Sequence, residues 1–363
     1  MRRVRWTAVV AGVITLGLVV SACGSKPPAA GSGPASGSST ASASSFKACM
    51  VTDTGGIDDR SFNASAWQGM QAAQSAGKAK VSFVQSKSES DYAPNIAQLV
   101  GQKCQLVVTV GGLMAQATTD ASKKDASQHF AIVDSNGNGT NVQGLQFNTA
   151  QAGFLAGYLA AGYSKSGKVA TYGGLKIPPV TIYMDGFWEG VQYYNQKKGK
   201  SVQVLGWSEK TQNGSFAGSF TDQSQGQQLA NNFIQQGADV IFPVAGGTGL
   251  GSAGAAQASG GKAVIIWVDT DGVTAAPQYA NVFLSTAFKN VNNAVQKAVE
   301  DSSGGTFATT DYIGTLTNGG VGLSPFHNFD SKVNPALKSE LDQLKQDIES
   351  GTVKITSPAQ PKG

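Results

Sequence analysis

The stretch Cys49-Met-Val-Thr-Asp-Thr-Gly-Gly-Ile-Asp-Asp-Arg-Ser-Phe-Asn63 decides how this chain is read. A short apolar run passes into a polar, glycine-containing loop. Helical spacing then begins at Ala64, Trp67 and Met70. Strand, loop and helix in that order form the site-bearing unit of open α/β sheets, whose ligands sit outside the carboxyl ends of the strands. The loop holds the carboxylates Asp53, Asp58 and Asp59 and one aromatic ring, Phe62. Carboxylates accept hydrogen bonds, and a flat ring offers a stacking surface.

The rest of the chain repeats that unit. Apolar runs at 49–51, 81–84, 106–110, 130–133 and 142–147 alternate with helical patterns at 65–74, 95–103 and 114–122. A second series has runs at 169–172, 202–206, 240–243, 264–268 and 282–284, with helical patterns near 182–195, 225–236, 251–259 and 286–301. The alternation predicts an α/β protein of parallel sheets flanked by helices. Two series of similar order predict two similar lobes.

The N-terminus predicts export. Arg2, Arg3 and Arg5 precede an apolar run from residue 6 to 20, too short for a comfortable membrane span. The run ends in Val20-Ser21-Ala22-Cys23, a lipobox pattern in which Cys23 becomes the lipidated first residue. Residues 24–45 are almost entirely Ser, Ala, Gly and Pro and read as a flexible tether. The formal net charge is +4, and three of those positives lie in the leader, leaving about +1 on the mature chain. Such a balance argues against nucleic acid as a partner. Cys49 and Cys104 each sit at or near the start of an apolar run. An exported chain permits a disulfide between them, and two buried thiols is the other reading.

The Cys49–Asn63 stretch resembles the opening motif of the basic membrane protein family, and the resemblance extends over most of the chain after the tether. It implies a lipid-anchored solute receptor on the extracytoplasmic face that feeds an ABC permease. The fold implied is two-lobed, of the type I periplasmic-binding-protein kind. By analogy with such proteins the chain returns to the first lobe late and then crosses again. The expected parts are a leader at 1–22, the lipidated Cys and tether at 23–46, a first lobe of 47–148 with 286–322, and a second lobe of 149–285 with 323–363. The best-understood members look like purine nucleoside receptors, so the expected ligand is a nucleoside, bound by a monomer. Riboflavin or another flat or hydroxylated solute is the alternative ligand, and a sensor or adhesion lipoprotein is the alternative class.

The resemblance also assigns roles. Phe62 and, in Gly218-Ser-Phe-Thr-Asp222, Phe220 would stack the two faces of a base. Phe62 also reads as a hydrophobic staple onto its helix, and Phe216, in a near-duplicate motif, rivals Phe220. Asn63 and Asp134 would read the base edge, although Asn63 also suits a helix cap. Gly247, Asp269 and Lys289 would hold the ribose, with Asp53 a minor candidate. Arg60 stands where the family commonly has Lys, and Asn292-Asn293 where a Gly-containing pair is usual.

Two motifs point elsewhere. Gly249, Gly251 and Gly254 fit the dinucleotide fingerprint G-x-G-x-x-G, but Asp269 lies too few residues on. Asp134, Asn136, Asn138 and Gly139 fit half of a calcium loop, but Leu145 stands where the closing Glu belongs. No metal and no cofactor is expected. His129 and His327 lack a catalytic setting, and no nucleophile elbow or P-loop occurs, so an enzyme is not expected. The enzymatic rival is a nucleosidase using Asp53, Asp58, Asp59 and Asp134 around calcium.

Overall fold

The computed structural model describes residues 45–362. The leader, Cys23 and nearly all of the tether lie outside the described residues. The chain first runs through β1 (Lys47–Val51), α1 (Phe62–Ser75), β2 (Lys80–Val84), α2 (Tyr92–Gly101), β3 (Leu106–Val110), α3 (Ala115–Lys124), β4 (His129–Val133) and β5 (Val142–Phe147). The second series is α4 (Thr149–Tyr163), β6 (Lys168–Gly173), α5 (Pro178–Lys198), β7 (Gln203–Leu205), a small hairpin of β8 (Trp207–Ser208) and β9 (Asn213–Gly214), α6 (Gln223–Gln235), β10 (Val240–Val244), α7 (Gly249–Ala258), β11 (Val264–Asp269), the single turn α8 (Gly272–Ala275) and β12 (Phe283–Lys289). The last elements are α9 (Val291–Ser303), β13 (Tyr312–Gly314), β14 (Val321–Leu323) and α10 (Pro335–Glu349).

Among the described residues two six-stranded sheets form, in the orders β13-β5-β4-β3-β1-β2 and β14-β12-β11-β10-β6-β7. The orders correspond strand for strand, so β4 matches β11 and β5 matches β12. Pairing is parallel throughout except for β12 with β14. The central strands are buried on both faces, as in β3, Leu-Val-Val-Thr-Val. Continuous apolar runs of this kind are what a parallel sheet covered by helices requires.

The late crossings are sharper than the sequence suggested. Residues 286–289, expected as the start of a helix in the first lobe, are the end of strand β12 in the second sheet. Ser285 and Thr286 break the apolar run, yet both are buried. The Ser285 hydroxyl donates to the Ser324 carbonyl, and the Thr286 N–H donates to Ser324 Oγ. With those polar groups satisfied, the strand continues to Lys289. The chain then enters the first lobe, where α9 lies on α1 so closely that a Cβ on Gly69 would sit 2.3 Å from the Asn292 carbonyl. β13 joins the first sheet beside β5. Val321 and Gly322 already pair with Lys289 and Phe288, so the return to the second sheet precedes residue 323.

Besides the single turn α8, two helices escaped the sequence pattern. α4 is buried on all sides, so its fifteen residues carry no polar face to reveal a helical period. It packs on α5 through glycines. A Cβ on Gly157 would fall 2.0 Å from the Phe187 carbonyl, and one on Gly190 the same distance from the Phe154 carbonyl. α10 packs Leu337, Leu341, Leu344 and Ile348 inward. Cys49 and Cys104 are joined as a disulfide, their Cα atoms 5.8 Å apart, because β1 and β3 are parallel neighbours.

Candidate functional site

The carboxyl ends of both sheets face one narrow cavity of about 60 Å³. In the first lobe the β1–α1 loop supplies Asp53 and Asp59, and the start of α1 supplies Phe62 and Asn63. Asp59 organises this loop: its carboxylate accepts from the N–H groups of Ser61, Asn63 and Ala64 and so satisfies the open start of α1. Asn63 is fully engaged with its neighbours. Its amide donates to Asp53 Oδ1 at 2.7 Å and to Asp59 Oδ2 at 3.0 Å, and its oxygen accepts the Asp53 N–H. Asp53 Oδ1 also accepts from the Gly55 N–H, while Oδ2 carries no hydrogen bond among the described residues. Burial pushes the Asp53 carboxyl up to about 6, against the pull of its bonds from Asn63 and Gly55. Burial pushes Asp59 upward as well.

The second lobe contributes Phe220, Gly246, Gly247 and Asp269. The duplicated phenylalanines pack over adjacent glycines. A Cβ on Gly173 would strike the Phe216 ring at 2.6 Å, and one on Gly174 would strike the Phe220 ring at 2.4 Å. Phe216 packs edge-on against Trp207, away from the cavity. Phe220 lines the cavity from the second lobe, as Phe62 does from the first.

Asp134 and Asp269 occupy matching places, immediately after β4 and at the end of β11. Both adopt left-handed backbone, with φ of 62° and 64°. Non-glycine residues rarely sit there, and Asp tolerates it better than most. Between them lies Lys289, at the end of β12. Its Nζ donates to Asp134 Oδ2 at 2.7 Å and stands 3.6 Å from Asp269 Oδ1. It also lies 4.4 Å from the centre of the Phe62 ring. Burial opposes its charge, but Asp134 and Asp269 outweigh burial and raise its pKa, so it is an ammonium ion. The Tyr183 hydroxyl lies 3.4 Å from Asp269 Oδ1 and 3.3 Å from the Ala287 carbonyl. Burial, reinforced by Asp269 and Asp134, holds its phenol well above the ordinary value, so it remains a donor.

All eight residues singled out in the sequence line this cavity: Asp53, Phe62, Asn63, Asp134, Phe220, Gly247, Asp269 and Lys289. One role changes. Both amide hydrogens of Asn63 are spent on Asp53 and Asp59, so it braces the loop and leaves no donor for a base edge. Residues the sequence reading missed are Tyr183, on α5, and Gly111 and Gly112 after β3. Gly111 has φ of 120°, and a Cβ there would press on Asp53 and Phe62. Asp58 is exposed and does not line the cavity. Gly249, Gly251 and Gly254 do not line it either. A Cβ on Gly251 would fall 1.8 Å from the Gln223 carbonyl, so that glycine serves the packing of α7 on α6. In the half-calcium-loop run, Asn138 Oδ1 accepts the N–H groups of Thr140, Asn141 and Val142 and closes the turn on itself.

Two matched α/β lobes with one cavity between their strand ends define a two-lobed solute-binding protein of the periplasmic type I fold. A solute-binding protein of an ABC transporter from Aeropyrum pernix K1 has the same fold, with a TM-score of 0.77 and 26% identity over 86% of this chain and 94% of its own. The chain belongs to the basic membrane protein family: the family model, described as ABC transporter substrate-binding protein PnrA-like, matches residues 46–358. It is thus the substrate-binding component of an ABC transporter, taking a small molecule and working with a permease. The CD4+ T-cell-stimulating antigen of Listeria innocua is 32% identical over 94% of this chain and 96% of its own. The ABC transporter nucleoside-binding protein BmpA of Lactococcus lactis is 30% identical over 86% and 89%. An uncharacterized lipoprotein of Pyrococcus horikoshii is 30% identical over 77% and 68%. No helix among the described residues is long and apolar enough to cross a membrane.

Proposed function

We propose that this chain is a nucleoside receptor, held to the outer face of the membrane by lipid on Cys23, which acts as a monomer and delivers its ligand to the permease. One observation carries the reading. Phe62 and Phe220, from opposite lobes, line the same cavity as a buried Asp134–Lys289–Asp269 chain. Two rings supplied by opposite lobes suit a flat base held between them as the lobes close on it. A base–aromatic stack contributes about 1–3 kcal/mol. Asp134 and the unbonded Oδ2 of Asp53 accept from base N–H groups. Asp269, Lys289 and the Gly246-Gly247 turn take the ribose, since a carboxylate accepts two hydroxyls and an ammonium donates to them. The ligand touches both lobes, so it favours the closed arrangement and shifts the population toward it.

A thermal-shift screen of the soluble body from Ser45 onward tests this reading. The panel holds purine and pyrimidine nucleosides, free bases, ribose and riboflavin. A ligand that binds the folded state alone raises the melting temperature. A rise with adenosine, guanosine or inosine, absent with ribose, is expected. A rise with riboflavin alone replaces the nucleoside reading, and silence across the panel refutes it.

A further inference from the structure

We propose that Arg60 and Ser61 form a latch that sets the rate of ligand release, with Ser61 acting as a positioning residue for Asp269. The inference rests on the small-molecule receptor reading above and concerns residues outside the cavity. The lobes touch through direct hydrogen bonds at this point. The Ser61 hydroxyl donates to Asp269 Oδ2 at 2.8 Å. The Thr270 hydroxyl donates to the Ser61 carbonyl at 3.2 Å, and Arg60 Nη1 donates to the Ala275 carbonyl at 3.1 Å. Three bonds thus join two consecutive residues of the β1–α1 loop to the end of β11 and the segment that follows it.

The latch is built rather than incidental. Ser61 is fully buried, and its N–H is held by Asp59 Oδ1. Arg60 adopts φ of 53°, a left-handed conformation that costs about 1 kcal/mol or more and persists only where surrounding bonds enforce it. None of Arg60, Ser61, Thr270 and Ala275 lines the cavity. The contacts therefore exist only when the lobes are together, yet they are independent of ligand contact. Asp269 couples the two. Oδ2 has two lone pairs, so it holds the Ser61 hydroxyl and still accepts from a ligand. Ser61 thereby fixes the direction in which the carboxylate points, and the filled cavity in turn keeps the latch made.

The test uses the mature lipidated chain in detergent, with inosine and hypoxanthine as probes and a dye pair placed one on each lobe. The Arg60→Ala/Thr270→Val double variant removes two latch bonds without touching the cavity. Inosine dissociation should speed up about tenfold with little change in association, since closure contacts act mainly on the off-rate. The ligand-free inter-lobe distance should lengthen. That second measurement needs no ligand, so it decides the latch even where inosine fails to bind. Unchanged dissociation, or an unchanged ligand-free distance, overturns the proposal. For the positioning role, Ser61→Ala should weaken inosine more than hypoxanthine, because Asp269 serves the sugar. Equal losses for the two probes would reduce Ser61 to a packing residue.

Discussion

At the scale of single residues, burial sets the chemistry of the cavity. The Asp53 carboxyl is driven up to about 6, largely by desolvation. The folded state therefore binds its proton more tightly than the unfolded chain does. Asp53 favours folding below its ordinary value near 4 and loses that contribution as pH rises to about 6, a change of about 3 kcal/mol. Asp53→Asn keeps an oxygen for Gly55 and Asn63 but cannot ionise. In urea titrations, wild type should lose about 2 kcal/mol relative to Asp53→Asn between pH 4 and pH 7. A constant difference across that range would show that Asp53 is not the buried group it is taken to be. Inosine affinity should rise with pH through about 6 in wild type and stay flat in the variant. The paired phenylalanines give a second contrast. Phe220→Ala should lower nucleoside affinity by roughly 10–100-fold with the fold kept. Phe216→Ala should cost about 2 kcal/mol of stability, because its ring fills the space over Gly173 beside Trp207. Calorimetric titration and melting of both variants separate the two roles.

At the scale of elements, the α4–α5 pair shows why glycine recurs where no turn exists. Gly153 and Gly157 on α4 face the Tyr183 and Phe187 carbonyls of α5, Gly186 and Gly190 on α5 face the Ala150 and Phe154 carbonyls of α4, and each glycine lacks the carbon that would collide. Gly157→Ala gains helix propensity of about 1 kcal/mol but forces the two backbones apart. The net expectation is a loss of about 2 kcal/mol, read as a lower urea midpoint with an unchanged slope. An unaltered midpoint would mean that the helices separate freely. The strand ends follow a different logic. β4, β11 and β12 present Asp134, Asp269 and Lys289 at equivalent edges, and the left-handed turn at each Asp keeps the carboxylates close to Lys289.

At the scale of the whole molecule, the two lobes are joined by crossings at 147–149, 289–291 and 314–321, and the cavity lies between their sheet edges. The Cys49–Cys104 bridge sits within the first lobe and closes a separation of 55 residues. Chain-entropy reasoning for a loop of that length gives about 4 kcal/mol. Reduction should therefore lower the urea midpoint markedly. Ligand affinity should persist while the chain stays folded, because neither cysteine lines the cavity. A reduced protein of unaltered midpoint would contradict the bridge as a stabilising link.

What the sequence determined by itself was the local grammar: strand, loop and helix in alternation, two series, and a set of polar and aromatic residues placed just after strands. Hydrophobic periodicity reports half-buried elements well, so most strands and amphipathic helices were legible. It is silent where burial is complete, which hid α4, and it stops at buried hydroxyls, which cut β12 short at Leu284. Motif resemblance placed eight residues in the cavity but could not choose between Phe216 and Phe220. That choice depends on which of Gly173 and Gly174 faces which ring. Nor could it show that Asn63 is spent on Asp53 and Asp59, or that Ser61 meets Asp269 across 208 positions of chain. Hydrogen bonds between distant residues are settled by the packing of one lobe against the other, and only the tertiary structure carries that information.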